Sequence, residues 1–229
     1  TLAINTSGDS LPKRGYRTLV YTAPLKETLA AAMLMISRWS PGRILIDPFC
    51  GSGTIPIEAA LMVRNIAPGL NRSFDSQSWP SIPKSAWKNA HEEARSLIKP
   101  PEDKITIQGY DINSDAISIA QYHARQAGVE DSVHLQVRDV AELSSRAKYG
   151  FIVTNPPYGE RIGERSENIR LYKTMRDVFR KLDTWSFYIL TADTQFEKYF
   201  GRKADKNRKL FNGGILCYYY QFFGPKPNR

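Results

Sequence analysis

The sequence is poor in the residues that build disulfide-rich, metal-binding or membrane-spanning proteins. Cys50 and Cys217 are its only cysteines, too few for a disulfide scaffold or a zinc site made mainly of thiolates. Its three histidines show no ligand spacing, so no metal site is predicted. No run of about 18 apolar residues is present, which excludes a membrane-spanning helix of ordinary length. No signal peptide is recognisable at the N-terminus, which favours a cytoplasmic protein.

Positive charge is what the sequence has in excess. Its 32 Lys and Arg against 23 Asp and Glu give a net charge of +9 over 229 residues. This balance favours an anionic partner, and nucleic acid is the commonest one. Two basic groups are candidates for phosphate contacts, although each could also be a solvated face. The first group comprises Arg161, Arg165 and Arg170, and the second comprises Lys198, Arg202, Lys203, Lys206, Arg208 and Lys209.

The length fits one large domain, or one domain with an appendage. Residues 1–24 are interpreted as a linker that follows a further domain upstream, since the chain starts at Thr1 and not at Met. Residues 25–229 are expected to form the domain itself. An insertion is expected at about 65–100, where several prolines favour loops. Its two tryptophans, Trp79 and Trp87, are expected to pack in the core or in a lid and not to stack on bases.

Strand and helix patterns alternate along the domain. Helices are predicted at 25–39, from 54, and at 85–98, 114–127 and 171–182, and strands at 43–47, 105–110, 133–137, 151–154 and 186–191. Two more strands, 209–211 and 215–223, flank Asn212-Gly213-Gly214 and predict a terminal hairpin. The pattern predicts an α/β fold with a seven-stranded, mostly parallel sheet, helices on both faces and an antiparallel hairpin at one edge.

Ligands of open α/β sheets bind beyond the carboxyl ends of the strands, where three candidate sites come early in the chain. The turn Asp47–Thr54 contains glycines that permit close approach of a ligand, although a tight strand–helix turn has the same composition. Asp111 is placed to accept hydrogen bonds from a ribose diol, or to sit at a helix N-terminus because the dipole favours it. Asp139 is placed to accept from an adenine amino group, or to cap a turn.

The fourth candidate, Asn155-Pro156-Pro157-Tyr158, is the most specific. Two consecutive prolines stiffen the backbone and remove its N–H donors. The side-chain oxygen of Asn155 and the carbonyl of Pro156 can then accept hydrogen bonds from one target. An exocyclic amine of a nucleobase has two hydrogens to donate to such a pair, and Tyr158 can stack on the base. The turn therefore predicts a site for such an amine.

With these motifs the sequence resembles the class I S-adenosylmethionine-dependent methyltransferases, and among them the amino-methyltransferases that carry (D/N)PP(Y/F). It is most similar to the bacterial THUMP-domain RNA guanine-N2 methyltransferases, a family that includes the enzyme of the large-subunit rRNA. Residues 6–17, 47–60 and 153–163 carry the resemblance, which spans nearly the whole chain. The THUMP domain of that family has no counterpart in this sequence.

The resemblance implies a Rossmann-like fold and a role for each motif residue. For the cofactor S-adenosylmethionine it implies Asp47, Cys50, Gly51 and Gly53 at the methionine part, Asp111 at the ribose hydroxyls, and Ile112, Asp139 and Val140 at the adenine. For catalysis it implies that the target amine is held by Asn155, Pro156, Pro157 and Tyr158. No metal is needed.

The activity implied by the resemblance is methylation of the N2 amine of guanine in RNA, in 23S rRNA foremost and in tRNA next. Other readings stay open, because the Asn-Pro-Pro-Tyr turn selects a planar amine and not a polymer. They are a DNA methyltransferase of the adenine-N6 type, a protein amino-methyltransferase, and an RNA-binding module without activity. The intact Asp47, Asp111 and Asn155–Tyr158 argue against loss of activity.

Overall fold

The structure is a computed structural model that describes residues 3–19, 25–158 and 162–227. Its strands are β1 (Leu45–Asp47), β2 (Ile107–Asp111), β3 (Val133–Val137), β4 (Phe151–Thr154), β5 (Ser186–Thr191), β6 (Lys206–Asn212) and β7 (Ile215–Phe222). They form one sheet in the order β3-β2-β1-β4-β5-β7-β6. The first five strands are parallel, and β7 runs antiparallel to both β5 and β6. The predicted fold class is therefore confirmed.

Helices cover both faces of this sheet. They are α1 (Glu27–Ser37), α2 (Thr54–Val63), α3 (Lys84–Ser96), α4 (Ser114–Gln126), α5 (Ile162–Phe179) and α6 (Phe196–Phe200). Successive strand residues point to opposite faces. Leu45 accordingly packs in a core cluster with α1 and α2, whereas Ile46 packs in a second cluster with α5 and α6. The strand ends thus emerge between two packed layers.

The bounds of β6 and α5 differ most from the prediction, which also lacks one helix. β6 begins at Lys206 and not at Lys209, because its first residues are charged and exposed on an edge strand that needs no apolar alternation. α5 begins at Ile162 and not at Leu171, since the sequence before Leu171 is mostly polar. The five-residue α6 has no predicted counterpart. Sequence patterns detect an element mainly through its buried apolar residues, of which the exposed start of β6 has none and the short α6 has two.

The described residues that precede α1 pack against the domain. Tyr16 is buried, and its hydroxyl donates to Glu58 Oε1 of α2 at 3.1 Å. Arg14 forms an ion pair with the same carboxylate at 3.0 Å. Residues 65–100, where the insertion is predicted, contact this segment as well, since Arg72 donates to the carbonyl of Ser7 at 3.1 Å. The domain boundary at residue 24 stays a prediction.

Most of the predicted insertion lies on the surface of the domain. α3 has no buried residue, and it is held by the stacking of Trp87 on Phe74, with ring centroids 5.3 Å apart. This contact agrees with the packing role predicted for Trp87. None of the helices within the described ranges is long and apolar enough to cross a membrane.

Candidate active site

A cavity of about 470 Å³ lies at the carboxyl ends of β1 to β4. It brings together the four turns that the sequence singles out. Nine of the candidate residues from the sequence line this cavity, namely Asp47, Cys50, Gly51, Asp111, Ile112, Asp139, Val140, Asn155 and Pro157. The prediction that these separate segments meet at one sheet edge follows from the parallel strands, whose carboxyl ends share that edge.

Gly53 does not line this cavity. It has φ of 85°, a left-handed conformation that glycine adopts without strain. A Cβ atom at this position would come within 2.9 Å of Ala120 Cβ. Gly53 therefore permits α2 to start sharply and to pack closely on α4.

Asp47 fixes the start of the glycine turn. Its Oδ1 accepts hydrogen bonds from the Phe49 N–H at 3.1 Å and from the Thr154 hydroxyl at 2.6 Å. Burial raises the pKa of Asp47 to about 7, and the two hydrogen bonds oppose that rise. The carboxyl group thus links β1 to β4 just below the cavity.

Cys50 holds the same turn through its backbone. Its N–H donates to the carbonyl of Tyr110 at 2.8 Å. Burial raises the pKa of the Cys50 thiol well above its ordinary value, so the thiol stays protonated and is a poor nucleophile. No group of three or more His, Cys, Asp or Glu within the described residues is arranged to hold a metal ion.

Asp111 connects β2 to the glycine turn. Its Oδ2 accepts from the Gly51 N–H at 3.0 Å, and its Oδ1 accepts from the Asn113 N–H at 2.9 Å. A carboxylate has about four lone-pair sites, so both oxygens can accept further bonds. The neighbouring Ile112 is 71% exposed and lines the same cavity. A charged acceptor thus lies beside an open apolar surface.

Asp139 and Val140 form the wall that follows β3. Asp139 accepts from the Ala141 N–H at 2.8 Å through Oδ1 and caps the 3-10 turn Val140–Glu142. Val140 is buried against the α5 side of the core. The capping role and a ligand role are compatible, because the second carboxylate oxygen is available.

Asn155 lies at the junction of two cavities. A second cavity of about 940 Å³ shares Asp139, Val140, Asn155, Pro157 and Leu171 with the first. The side-chain oxygen of Asn155 is buried and has no hydrogen-bond partner among the described residues. A buried acceptor left unpaired costs about 1–3 kcal/mol, so its natural complement is a donor from a ligand.

Pro156 and Tyr158 line only the second cavity. The Tyr158 hydroxyl accepts from Asn212 Nδ2 at 3.3 Å and from the Cys217 thiol at 3.5 Å. Burial raises the pKa of Tyr158 to about 12, which keeps it protonated. Tyr158 therefore joins the Asn-Pro-Pro-Tyr turn to the β6–β7 hairpin, a contact that sequence motifs could not reveal.

Arg17 holds two residues of the site in place, a role that the sequence reasoning missed. It donates to the Leu25 carbonyl at 2.7 Å and to Thr54 Oγ1 at 2.9 Å, and both of these residues line the first cavity. It also forms an ion pair with Glu27 at 3.5 Å. Arg17 lies within residues 6–17, which carry part of the resemblance, but no motif chemistry distinguishes it.

The members of the two basic groups lie in different surroundings. Arg161 lies outside the described residues, whereas Arg170 is exposed and lines the second cavity. In the second group Arg202 pairs with Asp205 at 3.3 Å, and it also lies over the Phe222 ring. Its β6 members, Lys206, Arg208 and Lys209, are exposed along one edge strand.

Comparison with known proteins places this site in a family. The family model of the RMKL-like methyltransferase domain matches residues 14–221. The chain is 45% identical over its full length to "Putative RNA methyltransferase YpsC" of Bacillus subtilis, of which it covers 59%. It is 43% identical over 95% of its length to "Ribosomal RNA large subunit methyltransferase K/L" of Shewanella baltica, of which it covers 31%. It thus spans about a third to three fifths of these relatives.

Solved structures agree with this assignment. A "possible methylase" from Clostridium difficile matches 98% of the chain with 46% identity and a TM-score of 0.93, and the chain covers 59% of it. SMU.472, "a putative methyltransferase complexed with SAH", matches 97% with 42% identity and a TM-score of 0.91, with 58% covered. A "predicted N6-adenine-specific DNA methylase" from Listeria monocytogenes matches 96% with 44% identity and a TM-score of 0.89, with 57% covered. The chain therefore belongs to the family of RMKL-like methyltransferase domains.

Proposed function

We propose that this chain transfers a methyl group from S-adenosylmethionine to the N2 amine of a guanine in RNA, with large-subunit rRNA as the foremost substrate. The observation that carries the proposal is the unpartnered, buried side-chain oxygen of Asn155 at the junction of two cavities. One cavity has the size and lining for a nucleoside cofactor, and the other is open to a base. An acceptor at the junction is where an amine must be held for transfer between them.

The residues of the first cavity fit the cofactor. Asp111 has lone pairs for two ribose hydroxyls, and the exposed Ile112 offers an apolar surface for the adenine ring. Asp139 has a carboxylate oxygen for the adenine amino group. Ser52 and Thr54, at the start of α2, lie in the cavity wall, where N–H groups of the helix N-terminus can bind the methionine carboxylate. When bound, S-adenosylmethionine supplies an activated methyl group, so no protein nucleophile is needed.

Asn155 and Pro156 orient the acceptor amine. Their two oxygens accept hydrogen bonds from the N–H groups of the amine. These hydrogen bonds draw the N–H groups out of the base plane and localise the nitrogen lone pair. The same oxygens stabilise the positive charge that develops on nitrogen during transfer. Fixing donor and acceptor in one geometry supplies much of the rate enhancement. The released proton passes to water.

The choice of RNA is supported by the relatives named as RNA and rRNA methyltransferases and by the net charge of +9. The Listeria structure, named for adenine in DNA, supports the second candidate, a DNA amino-methyltransferase. Both substrates present a planar amine. In either polymer the base must be flipped or single-stranded to enter the second cavity.

Methyl transfer from labelled cofactor to large-subunit rRNA, tRNA, DNA and protein tests the proposal. We expect label in RNA and N2-methylguanosine after nuclease digestion and mass spectrometry. N6-methyladenine in DNA would establish the second candidate instead. Cofactor binding without transfer to any of these substrates would contradict both candidates and favour a binding module.

The variant Asn155→Ala tests the residue that carries the proposal. Loss of one preorganised partner of the transition state costs about 10²–10³ in rate, so single-turnover transfer should fall by that factor while cofactor affinity changes little. Asn89→Ala, on the exposed face of α3, is the matched control and should leave both quantities unchanged. Near-normal turnover of Asn155→Ala would refute the assignment. Loss of both turnover and cofactor affinity would instead assign Asn155 to cofactor binding.

A further inference from the structure

The tip of the β6–β7 hairpin presents apolar side chains to solvent. Phe211 is 63% exposed, Ile215 53% and Leu216 36%. Phe211 lies opposite Leu216 in the ladder, and Asn212 lies opposite Ile215. Neighbouring pairs point to opposite faces of a strand, so the tip is apolar on both faces. Among the described residues, no atom outside the turn lies within 4 Å of a Cβ built on Gly213 or Gly214, so nothing in that part of the chain packs on the turn.

This tip forms part of the rim of the second cavity. Asn212 and Ile215 line that cavity together with Tyr158. The side-chain amide of Asn212 also donates to the Tyr158 hydroxyl at 3.3 Å. The hairpin is therefore linked directly to the turn proposed to hold the target amine.

The charge on β6 and around the second cavity indicates what kind of molecule binds the hairpin tip. The basic side chains of Lys206, Arg208 and Lys209 are exposed on β6, and none forms an ion pair with a carboxylate among the described residues. Arg170 of α5 also lines the second cavity, as do the carboxylates of Asp139 and Glu167. A basic strand that leads to an apolar tip complements a phosphate backbone with stacked bases better than it complements an apolar protein surface.

We propose that the hairpin tip is a wedge that inserts between stacked bases and fills the space left by the target nucleotide. The proposal rests on the proposed function, because it supposes that a base enters the second cavity. A base within a helix must leave its stack to do so, and apolar side chains are the residues that proteins insert between base steps. Phe211 stacks on the neighbouring base, while Ile215 faces the extruded nucleotide. The β6 cations contact the flanking phosphates.

Fluorescence of 2-aminopurine reports the insertion without any methyl transfer. The probe is an RNA hairpin that carries 2-aminopurine stacked in the stem beside a guanine. We expect saturating protein to raise the fluorescence as the stack opens. Phe211→Ala should abolish most of this rise and weaken binding of the stem by about tenfold, the order expected for one lost base–aromatic stack. Phe211→Tyr, which keeps the ring, should behave as the unmodified protein.

Phe223→Ala is the matched control, since Phe223 is 42% exposed and lies beyond the other end of β7. It should leave the fluorescence rise intact. Equal thermal midpoints for the two alanine variants would show that the fold is preserved. An unchanged rise with Phe211→Ala, or no rise with the unmodified protein, would overturn the wedge. A change in sedimentation of Phe211→Ala without nucleic acid would overturn it too, because the tip would then contact another copy of the chain.

The wedge and the proposed function fail separately. Asn155→Ala should still open the stem, since it leaves the hairpin tip intact. A fluorescence rise without methyl transfer by the unmodified protein would uphold the wedge and reject the proposed activity. Methyl transfer together with a normal rise for Phe211→Ala would uphold the activity and reject the wedge.

Discussion

Asp111 combines two tasks at the residue scale. It accepts the N–H groups of Gly51 and Asn113, and so it holds the glycine turn against β2. Asp111 also lines the cavity that we assign to the cofactor. A carboxylate at a helix N-terminus is also favoured by the helix dipole alone, which is the alternative for this position.

Asp111→Ala separates these roles. It removes a charge-assisted acceptor for the ribose hydroxyls, and each such bond is worth about 1.5–3 kcal/mol. Calorimetric titration with S-adenosylmethionine should show affinity reduced by at least about tenfold. Asp115→Ala, which removes another acid from the first turn of α4, is the control and should leave the affinity unchanged. An unchanged affinity of Asp111→Ala for the cofactor would mean that Asp111 does not bind the ribose and only interacts favourably with the helix dipole.

Single residues show both the reach and the limit of sequence reasoning. Asn155 and Asp111 can be placed from sequence alone, because each lies at the carboxyl end of a parallel strand and these ends share one sheet edge. Gly53 cannot be assigned in this way. A Cβ at this position would meet Ala120, far along the chain, and only the packing of α2 on α4 distinguishes a packing glycine from a ligand-facing one. The contacts of Arg17 cannot be predicted from the sequence for the same reason.

At the scale of elements, strands with an apolar pattern are predictable and charged ones are less so. β4 and β5 have their predicted bounds because runs of apolar residues mark them, and β3 has its own because apolar and polar residues alternate along it. The charged start of β6 carries no such signal, yet it pairs fully with β7. Its exposed cations are therefore part of a rigid strand and not of a loop, which fixes their spacing for contact with a polymer.

Reversal of charge on β6 tests that contact. The triple variant Lys206→Glu, Arg208→Glu and Lys209→Glu should weaken RNA binding. It should also lower the slope of log affinity against log salt by about 2–3, because each phosphate contact contributes about 0.7–0.9. Cofactor affinity should not change, since these residues do not line the first cavity.

The control for this variant carries the same change of charge elsewhere. Lys84→Glu, Lys88→Glu and Arg95→Glu alter exposed residues of α3, none of which lines either cavity of the site. Similar loss of affinity in both triple variants would mean that net charge alone governs RNA binding. A salt slope equal to that of the unmodified protein would make β6 a solvated face.

At the scale of the whole molecule, two buried carboxyl groups join the elements around the site. Burial raises the pKa of both Asp47 and Glu58 to about 7, although Arg14 opposes the rise for Glu58. Asp47 joins β1 to β4, and Glu58 joins α2 to the segment before α1. The same contacts that shape the first cavity therefore make the stability of the domain depend on pH.

The sign of this dependence follows from the two states of Asp47. The folded chain keeps the proton up to about pH 7, whereas the unfolded chain releases it near the ordinary value of 3.8. Stability contributed by the protonated group is thus complete below about pH 4, and it is lost as pH rises toward 7. Asp47→Asn lacks this titration but keeps an acceptor oxygen for Thr154 and Phe49.

We expect the stability of Asp47→Asn relative to the unmodified protein to increase between pH 4 and pH 8, by up to about 4 kcal/mol, and to level off above that range. Urea unfolding at several pH values measures the difference directly. Glu58 titrates in both proteins, so its contribution cancels. Asp103→Asn, at an exposed position, should give a difference that does not vary with pH. A flat difference for Asp47→Asn as well would mean that this carboxyl group is ionised throughout the range in the folded protein, and that the link between β1 and β4 is a charged one.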